Sequence, residues 1–238
     1  VGVFNEGVNL GFSSNTYNEE YLNDSLIKCR NTCNLILGIS PQSLTDYQGH
    51  DEYTNYKEKS LSIVKSLSGR VELFFRSFRL SESVLKEYNK RLKYISIKMN
   101  KYHSNGWIET FPSEISKTEG REFYKMAFLQ SKFDQKILEE IVRFIRENKN
   151  RANIYFFFPP TSKEVYLLEK DEKISGFNEV SVVDVLIKAG AKYIENKKYR
   201  FMVTYDGDHL DSKNARLFSN YLKERFDFIK QNKGQGAH

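Results

Sequence analysis

Residues 201–212 read FMVTYDGDHLDS, a short apolar run followed by a polar turn and the start of a helix. Hydrophobic periodicity predicts that helix from about Ser212 to Gln231, with apolar side chains three or four residues apart. A strand that ends in a turn and continues into a helix is typical of α/β sheets, which bind ligands at the carboxyl ends of their strands. The stretch therefore predicts both a fold class and the place of a site.

His209 and Asp206 form the candidate catalytic pair of this turn. A carboxylate that accepts the Nδ1–H of a histidine fixes the imidazole tautomer and stabilises the imidazolium when Nε2 takes a proton. Asp208 competes with Asp206 for this role. The alternative is a polar turn in which Asp211 or Ser212 caps the helix and His209 has no chemical role. The residues of the turn alone leave both interpretations open.

Short apolar runs alternate with amphipathic stretches along much of the remaining chain. The runs predict strands at 8–12, 34–41, 154–158, 193–194 and 201–204. The amphipathic stretches predict helices at 19–28, 58–67, 81–94, 128–148 and 180–189, the last ended by Gly190. Such alternation favours a mostly parallel sheet covered by helices on both faces, that is, a three-layer α/β/α fold.

Residues 70–130 interrupt the alternation and are interpreted as an α+β insertion in a single domain that spans residues 1–231. Apolar runs flank Asn105 and Gly106, which predicts a β-hairpin. Aromatic residues and a histidine cluster there, namely Tyr94, Tyr102, His103, Trp107 and Phe111. They either stack on sugar rings or form the core of a small subdomain. Residues 232–238 are predicted to be a disordered tail.

Composition restricts the classes of function. The chain has 238 residues, of which 39% are hydrophobic and 29% charged, as expected of a soluble globular protein. The net charge of +6 is spread without a dense Lys/Arg block, so no nucleic-acid partner is predicted. No run approaches the roughly 18 apolar residues that a membrane span needs, so no transmembrane segment is predicted.

The two cysteines, Cys29 and Cys33, are four residues apart. In a helix this spacing has poor geometry for a disulfide. No further Cys/His pair completes a zinc set, so neither a metal nor another cofactor is expected.

Three stretches occur in an order that resembles the SGNH (GDSL-type) hydrolase and acyltransferase superfamily. The segment DGDHL, residues 206–210, is similar to its last block, which reads Asp-x-x-His-Leu before a helix. NLGFSS, residues 9–14, resembles the second block, Asn-x-Gly-x-Ser-Gly, and LGIS, residues 37–40, resembles the third, Gly-x-Asn-Asp. The resemblance covers residues 7–45 and 134–231 and implies a flavodoxin-like sheet. Within the superfamily it is closest to cell-envelope proteins, such as alginate O-acetyltransferase-like proteins and the D-alanyl-lipoteichoic acid transfer protein.

By this resemblance, His209 is the general base and Asp206 orients it. The backbone N–H of Ser14 and the hydroxyl of Ser40 take the oxyanion positions, where the family has glycine and asparagine. The family places its nucleophilic serine in an earlier Gly-Asp-Ser or Gly-x-Ser block, which the residues before Asn9 do not contain. The nucleophile is therefore unidentified and is expected upstream of this sequence.

The resemblance implies a serine esterase or O-acyltransferase that acts on a carbohydrate or glycan ester, and it does not identify the acyl donor. It points to the bacterial cell envelope or periplasm. The missing first block favours an alternative, a non-catalytic glycan-binding or scaffold relative of the same fold. A weaker alternative, from the charge and the aromatic content, is a module that binds nucleic acid or acidic lipid.

Overall fold

The structure of the chain is a computed structural model, which describes residues 17–26, 29, 33–46, 99–102, 108–111, 122, 126, 129–204 and 207–232. Its strands are β1 (Cys33–Gly38), β2 (Met99–Tyr102), β3 (Ile108–Phe111), β4 (Ala152–Phe157) and β5 (Lys192–Tyr193). Its α-helices are α1 (Glu19–Ser25), α2 (Gln135–Asn148), α3 (Lys163–Lys170), α4 (Glu172–Ser175), α5 (Glu179–Ala189) and α6 (Ser212–Asn232). Short 3₁₀ turns lie at Pro41–Leu44 and Lys197–Tyr199.

A three-stranded parallel sheet with the order β1-β4-β5 forms the centre of the described fold. All six residues of β1 pair with β4, from Cys33 opposite Ala152 to Gly38 opposite Phe157. The mixed α/β class with a parallel sheet is therefore confirmed, whereas the three-layer, flavodoxin-like arrangement stays a prediction. Because the strands are parallel, their carboxyl ends meet at one edge, which we call the carboxyl edge.

The side chains of β4 alternate between two hydrophobic clusters, as the pleat of a strand requires. Ile154 and Phe156 join a cluster with residues of α1, α2 and α5. Tyr155 and Phe157 pack instead with a cluster that includes Phe218 and other residues of α6. Burying a large apolar side chain contributes about 1.5–3 kcal/mol, so β4 is the strand on which most of this stability depends.

Side-chain caps set the helix ends and explain where the predicted boundaries were wrong. Asp134 Oδ1 accepts the N–H of Lys136 at 2.8 Å, so α2 begins at Gln135 and not near residue 128. Gly190 has φ +114°, which ends α5 as predicted. Ser162 Oγ accepts the N–H of Val165 at 3.2 Å and begins α3, a helix that no sequence pattern had predicted.

The strand pair of the predicted insertion is confirmed. β2 and β3 are antiparallel, from Met99 opposite Phe111 to Tyr102 opposite Ile108. The turn between them, with Asn105 and Gly106, lies outside the described residues, as do the side chains of the predicted aromatic cluster. The bounds of the insertion and the single-domain prediction remain predictions.

The expectation from the cysteine spacing was wrong, because Cys29 and Cys33 form a disulfide with a Cα–Cα distance of 5.7 Å. The expectation assumed that both residues lie on one helix. In the structure α1 ends at Ser25, and Cys33 is already the first residue of β1. The helical restriction on this spacing therefore does not apply, and the bond fixes the chain where it enters the sheet.

Candidate functional site at the carboxyl edge of the sheet

The three parallel strands continue into three segments at the carboxyl edge: residues 39–45 after β1, residues 158–162 after β4, and residues 194–196 after β5. Backbone hydrogen bonds extend the strand pairing into them. The N–H of Ile39 donates to the carbonyl of Phe157 at 2.9 Å, and the N–H of Ile194 donates to the carbonyl of Phe156 at 2.8 Å. Polar side chains on these segments are thus held near one another by the sheet.

The turn that carries His209 is docked on the segment after β4. The N–H of Ser162 donates to the carbonyl of Gly207 at 2.7 Å, and the N–H of Met202 donates to the carbonyl of Thr161 at 2.9 Å. Gly207 has φ +106°, a left-handed conformation that costs other residues roughly 1–2 kcal/mol. Its N–H donates to Thr204 Oγ1 at 3.0 Å. The turn thus lies at the carboxyl edge, and a glycine is required at its docking point.

The predicted pair is only partly within the described residues. His209 lies in a bend with its side chain exposed, and Asp208 beside it is half-buried. Asp206 and Ser14 both lie outside the described residues. The contact between Asp206 and His209, and the oxyanion role of the Ser14 N–H, therefore stay predictions.

Ser40 directly follows β1 and the neighbouring Ile39 at the carboxyl edge. Its Oγ accepts the N–H of Ser43 at 3.2 Å and begins the 3₁₀ turn. A hydroxyl that accepts one hydrogen bond keeps its proton for donation, so this cap does not prevent a hydrogen bond to an oxyanion. Ser40 is therefore a turn cap in this structure, and its predicted second role remains a prediction.

Asp211 performs the capping that the alternative interpretation of the turn predicted. Its Oδ1 accepts the N–H of Asn214 at 2.8 Å, and its Oδ2 accepts from the Asn214 side-chain amide at 3.1 Å. Both carboxylate oxygens of Asp211 thus contact Asn214 at the start of α6. Asp206 and Asp208 remain the carboxylates that are predicted from the sequence to orient His209.

Arg200 lies almost completely buried at the carboxyl edge, with 6% of its surface exposed. Its Nη2 contacts Glu179 Oε2 at 3.1 Å, and its Nη1 donates to the carbonyl of Pro159 at 3.3 Å. The guanidinium carbon lies 4.9 Å from the ring centre of Phe158 and 5.4 Å from that of Tyr166. Within the described part of the chain, Nε has no hydrogen-bond partner. The charge is therefore held between two rings and one carboxylate.

Glu169 of α3 is the most buried carboxyl group near the docked turn, with 2% of its surface exposed. Its Oε2 accepts a hydrogen bond from Thr161 Oγ1 at 3.3 Å. The pKa of Glu169 is raised to about 8, chiefly by burial and with smaller contributions from Asp208 and Glu179, while Arg200 and the hydrogen bond from Thr161 act in the opposite direction. At neutral pH this carboxyl group is therefore largely protonated.

Sequence reasoning did not find Glu169 or Arg200 as members of a site. Both residues are strongly charged, and such residues are usually exposed. The one local indication is that Arg200 stands between Tyr199 and Phe201 in an aromatic stretch. Glu169 and Arg200 come close together only because of the way α3 packs at the carboxyl edge, and a local sequence pattern does not show that packing.

A depression of about 110 Å³ lies at the opposite edge of the sheet, at the amino ends of β4 and β5. Lys149, Asn153 and Lys192 line it, and Lys192 Nζ contacts Asn153 Oδ1 at 3.3 Å. Because the ends of α2 and α5 carry their negative dipoles there, these lysines serve to balance the helix ends. We therefore place the candidate site at the carboxyl edge.

Two absences hold for the described residues. Within them, no cluster of three or more His, Cys, Asp or Glu side chains has the arrangement of a metal site. Among the helices so described, none combines the length and apolar character needed to cross a membrane.

Comparison with known proteins adds no relative to this picture. No protein-family model matches the sequence, and searches of characterised proteins and of solved structures found no match either. The resemblance to the SGNH superfamily therefore depends on the three stretches quoted above. The reaction and the substrate are inferred from those stretches and from the geometry of the carboxyl edge.

Proposed function

We propose that the protein is an SGNH-type serine esterase or O-acyltransferase that acts on an acyl ester of a carbohydrate or glycan. The observation that carries the proposal is the 2.7 Å hydrogen bond from Ser162 to Gly207, because it docks the turn of His209 at the edge where Ser40 also lies. Active sites of α/β folds lie at this edge. The two hydrophobic clusters on alternate residues of β4 support the flavodoxin-like, three-layer arrangement that belongs to this proposal.

In this mechanism His209 Nε2 takes the proton of a serine hydroxyl as that oxygen attacks the ester carbonyl. The tetrahedral oxyanion accepts hydrogen bonds from the Ser14 N–H and the Ser40 hydroxyl, each worth about 10²–10³ in rate when well placed. The imidazolium then donates its proton to the leaving sugar alkoxide, which leaves an acyl-enzyme. Attack of water on the acyl-enzyme completes hydrolysis, whereas attack of a second sugar hydroxyl completes acyl transfer. The serine nucleophile is not assigned to a residue of this sequence.

The surroundings of His209 suit this role. Its side chain is exposed, so a substrate bound above the carboxyl edge reaches the imidazole without a change of the fold. By resemblance to the last block of the SGNH superfamily, Asp206 is assigned to the Nδ1–H of His209, while Asp211 caps the start of α6. Asp208 is the competing carboxylate.

The disulfide supports the proposed location in the bacterial cell envelope or periplasm. Disulfides persist in oxidising compartments and are rare in the reducing cytosol of mesophiles. The bond between Cys29 and Cys33 therefore fits a protein that folds outside the cytoplasm. A glycan of the envelope is the substrate class that such a location makes accessible.

One observation favours the second candidate, a non-catalytic glycan-binding or scaffold relative. Two serines of the segments at the carboxyl edge, Ser40 after β1 and Ser162 after β4, both accept backbone N–H groups as caps. Such hydroxyls have structural roles, and a protein that lost its nucleophile would retain them. This candidate predicts a folded protein that binds glycans and forms no acyl-enzyme.

Hydrolysis of p-nitrophenyl acetate, together with labelling by a serine-reactive fluorophosphonate, separates the two candidates. The full-length protein and the His209→Ala variant are compared, with Lys213→Ala as a control at an exposed position of α6. We expect turnover and one labelled serine in the wild type and in Lys213→Ala. We expect a loss of about 10²–10⁴ in rate for His209→Ala, because general acid–base catalysis contributes that much. Folded protein without turnover or label would reject the enzyme and favour the glycan-binding relative.

A further inference from the structure

The buried carboxyl group of Glu169 is connected to the docked turn through two adjacent residues. Thr161 donates its hydroxyl to Glu169 Oε2 at 3.3 Å, and the carbonyl of the same threonine accepts the N–H of Met202. The next residue, Ser162, donates its N–H to Gly207. The side chain of Glu169 and the turn that carries His209 thus contact adjacent residues of one short backbone segment.

The charges around Glu169 belong to three different elements. Within the described part of the chain these are Arg200 after β5, Asp208 in the turn and Glu179 at the start of α5. Arg200 is already paired with Glu179, which also accepts from the Tyr193 hydroxyl at 3.5 Å. A single guanidinium therefore faces three carboxyl groups, and the most buried of them is the one that retains a proton most easily.

We propose that Glu169 is a positioning residue for His209, which keeps the turn docked while its carboxyl group is neutral and releases the turn when it ionises. The neutral acid accepts the Thr161 hydroxyl and does not repel Asp208. The carboxylate repels Asp208 and attracts Arg200 away from Glu179, which disturbs the segment that holds Gly207. The importance of this coupling for catalysis rests on the proposed role of His209.

The effect has a definite direction with pH. Burial raises the pKa of Glu169 to about 8, so the docked turn dominates below that pH and loosens above it. A transition near pH 8 that depends on Glu169 is therefore specific to the proposed coupling.

NMR titration of the His209 imidazole tests the coupling without any substrate. The signals are assigned by their loss in His209→Ala, since the chain has four histidines. In the wild type we expect the chemical shifts of the His209 imidazole to change with pH in two steps. One step is the ionisation of the imidazole itself, and the other is an inflection near pH 8. Glu169→Gln, which keeps an acceptor for Thr161, should lack the second inflection, and Glu147→Gln, at an exposed position of α2, should retain it.

Asp208→Asn provides a second variant, because it removes a charge that raises the pKa of Glu169. We expect the second inflection to move to lower pH in this variant. A single inflection in the folded wild type, or a second one that persists unchanged in Glu169→Gln, would overturn the proposal. If esterase activity depends on His209 but no second inflection occurs, the positioning role fails while the enzyme stands. If the inflection occurs without turnover, the coupling stands and the proposed reaction fails.

Discussion

Replacing Glu169 by glutamine is expected to remove a large part of the pH dependence of folding stability between about pH 5 and about pH 8. The pKa of this carboxyl group rises from 4.5 to about 8 on folding, chiefly through burial. Between those values the folded chain binds one proton more than the unfolded chain. Because of this extra proton, the free energy of unfolding falls by about 1.4 kcal/mol for each unit by which the pH rises. The contribution is complete below about pH 4.5 and is lost as the pH rises through about 8.

Over three pH units the loss amounts to at most on the order of 4 kcal/mol, because one pKa unit corresponds to about 1.4 kcal/mol. This is a large part of the roughly 5–15 kcal/mol that stabilises a typical domain. Glutamine has no proton to lose, so Glu169→Gln should be more stable than the wild type at pH 9 and have a flatter profile.

Urea unfolding followed by circular dichroism, at one-unit steps from about pH 5 to about pH 9, measures both profiles. Glu147→Gln, at an exposed position of α2, is the control and should follow the wild type. The difference in free energy of unfolding between the wild type and Glu169→Gln, taken at each pH, isolates the contribution of the Glu169 carboxyl group from those of all other titrating groups. Parallel profiles for the two proteins would refute the assignment of a buried, neutral carboxyl group.

Three further replacements test other parts of the structure. Asp206→Asn should lower esterase kcat by about 10²–10⁴ if it holds the tautomer of His209; a small loss there with a large loss in Asp208→Asn would exchange the two roles. Asp211→Ala removes the cap of α6 and should lower the free energy of unfolding, measured with urea, by about 0.5–2 kcal/mol. An unchanged free energy would show that this cap does not stabilise the turn. Phe156→Ala, a completely buried position of β4, should cost about 3–5 kcal/mol. Phe228→Ala, which is 53% exposed, should cost much less, and equal costs would contradict the assignment of the core.

The local sequence pattern was enough to predict those strands and helix ends whose side chains face an apolar environment. The runs at 34–41 and 154–158 have continuous apolar cores because β1 and β4 lie side by side in a parallel sheet. Their bounds moved by one to three residues, since a strand ends where its pairing ends and not where hydrophobicity does. Gly190 was predicted correctly as a helix end because a left-handed residue is a local requirement.

Features that depend on distant contacts could not be predicted in the same way. Glu169 and Arg200 are 31 positions apart, and each alone resembles an ordinary exposed charge. The disulfide was missed because the spacing of the two cysteines was considered only for a helix, whereas α1 ends at Ser25 and Cys33 is the first residue of β1. The sequence predicted the candidate site as a turn with a histidine. It did not predict the buried Glu169 and Arg200 beside that turn, because their positions depend on how α3 packs.

The two interpretations of the turn, a helix cap and a proposed catalytic element, are compatible with each other. Gly207 is held by Ser162 on one side of His209, and Asp211 is fixed at the start of α6 on the other side. Between these two anchors, Leu210 forms a bridge with Thr204. Ordering one backbone residue costs about 1–2 kcal/mol, and here the fold supplies that order before any substrate binds. A general base needs such a fixed backbone, so the cap at Asp211 is a condition for the proposed chemistry of His209 and does not compete with it.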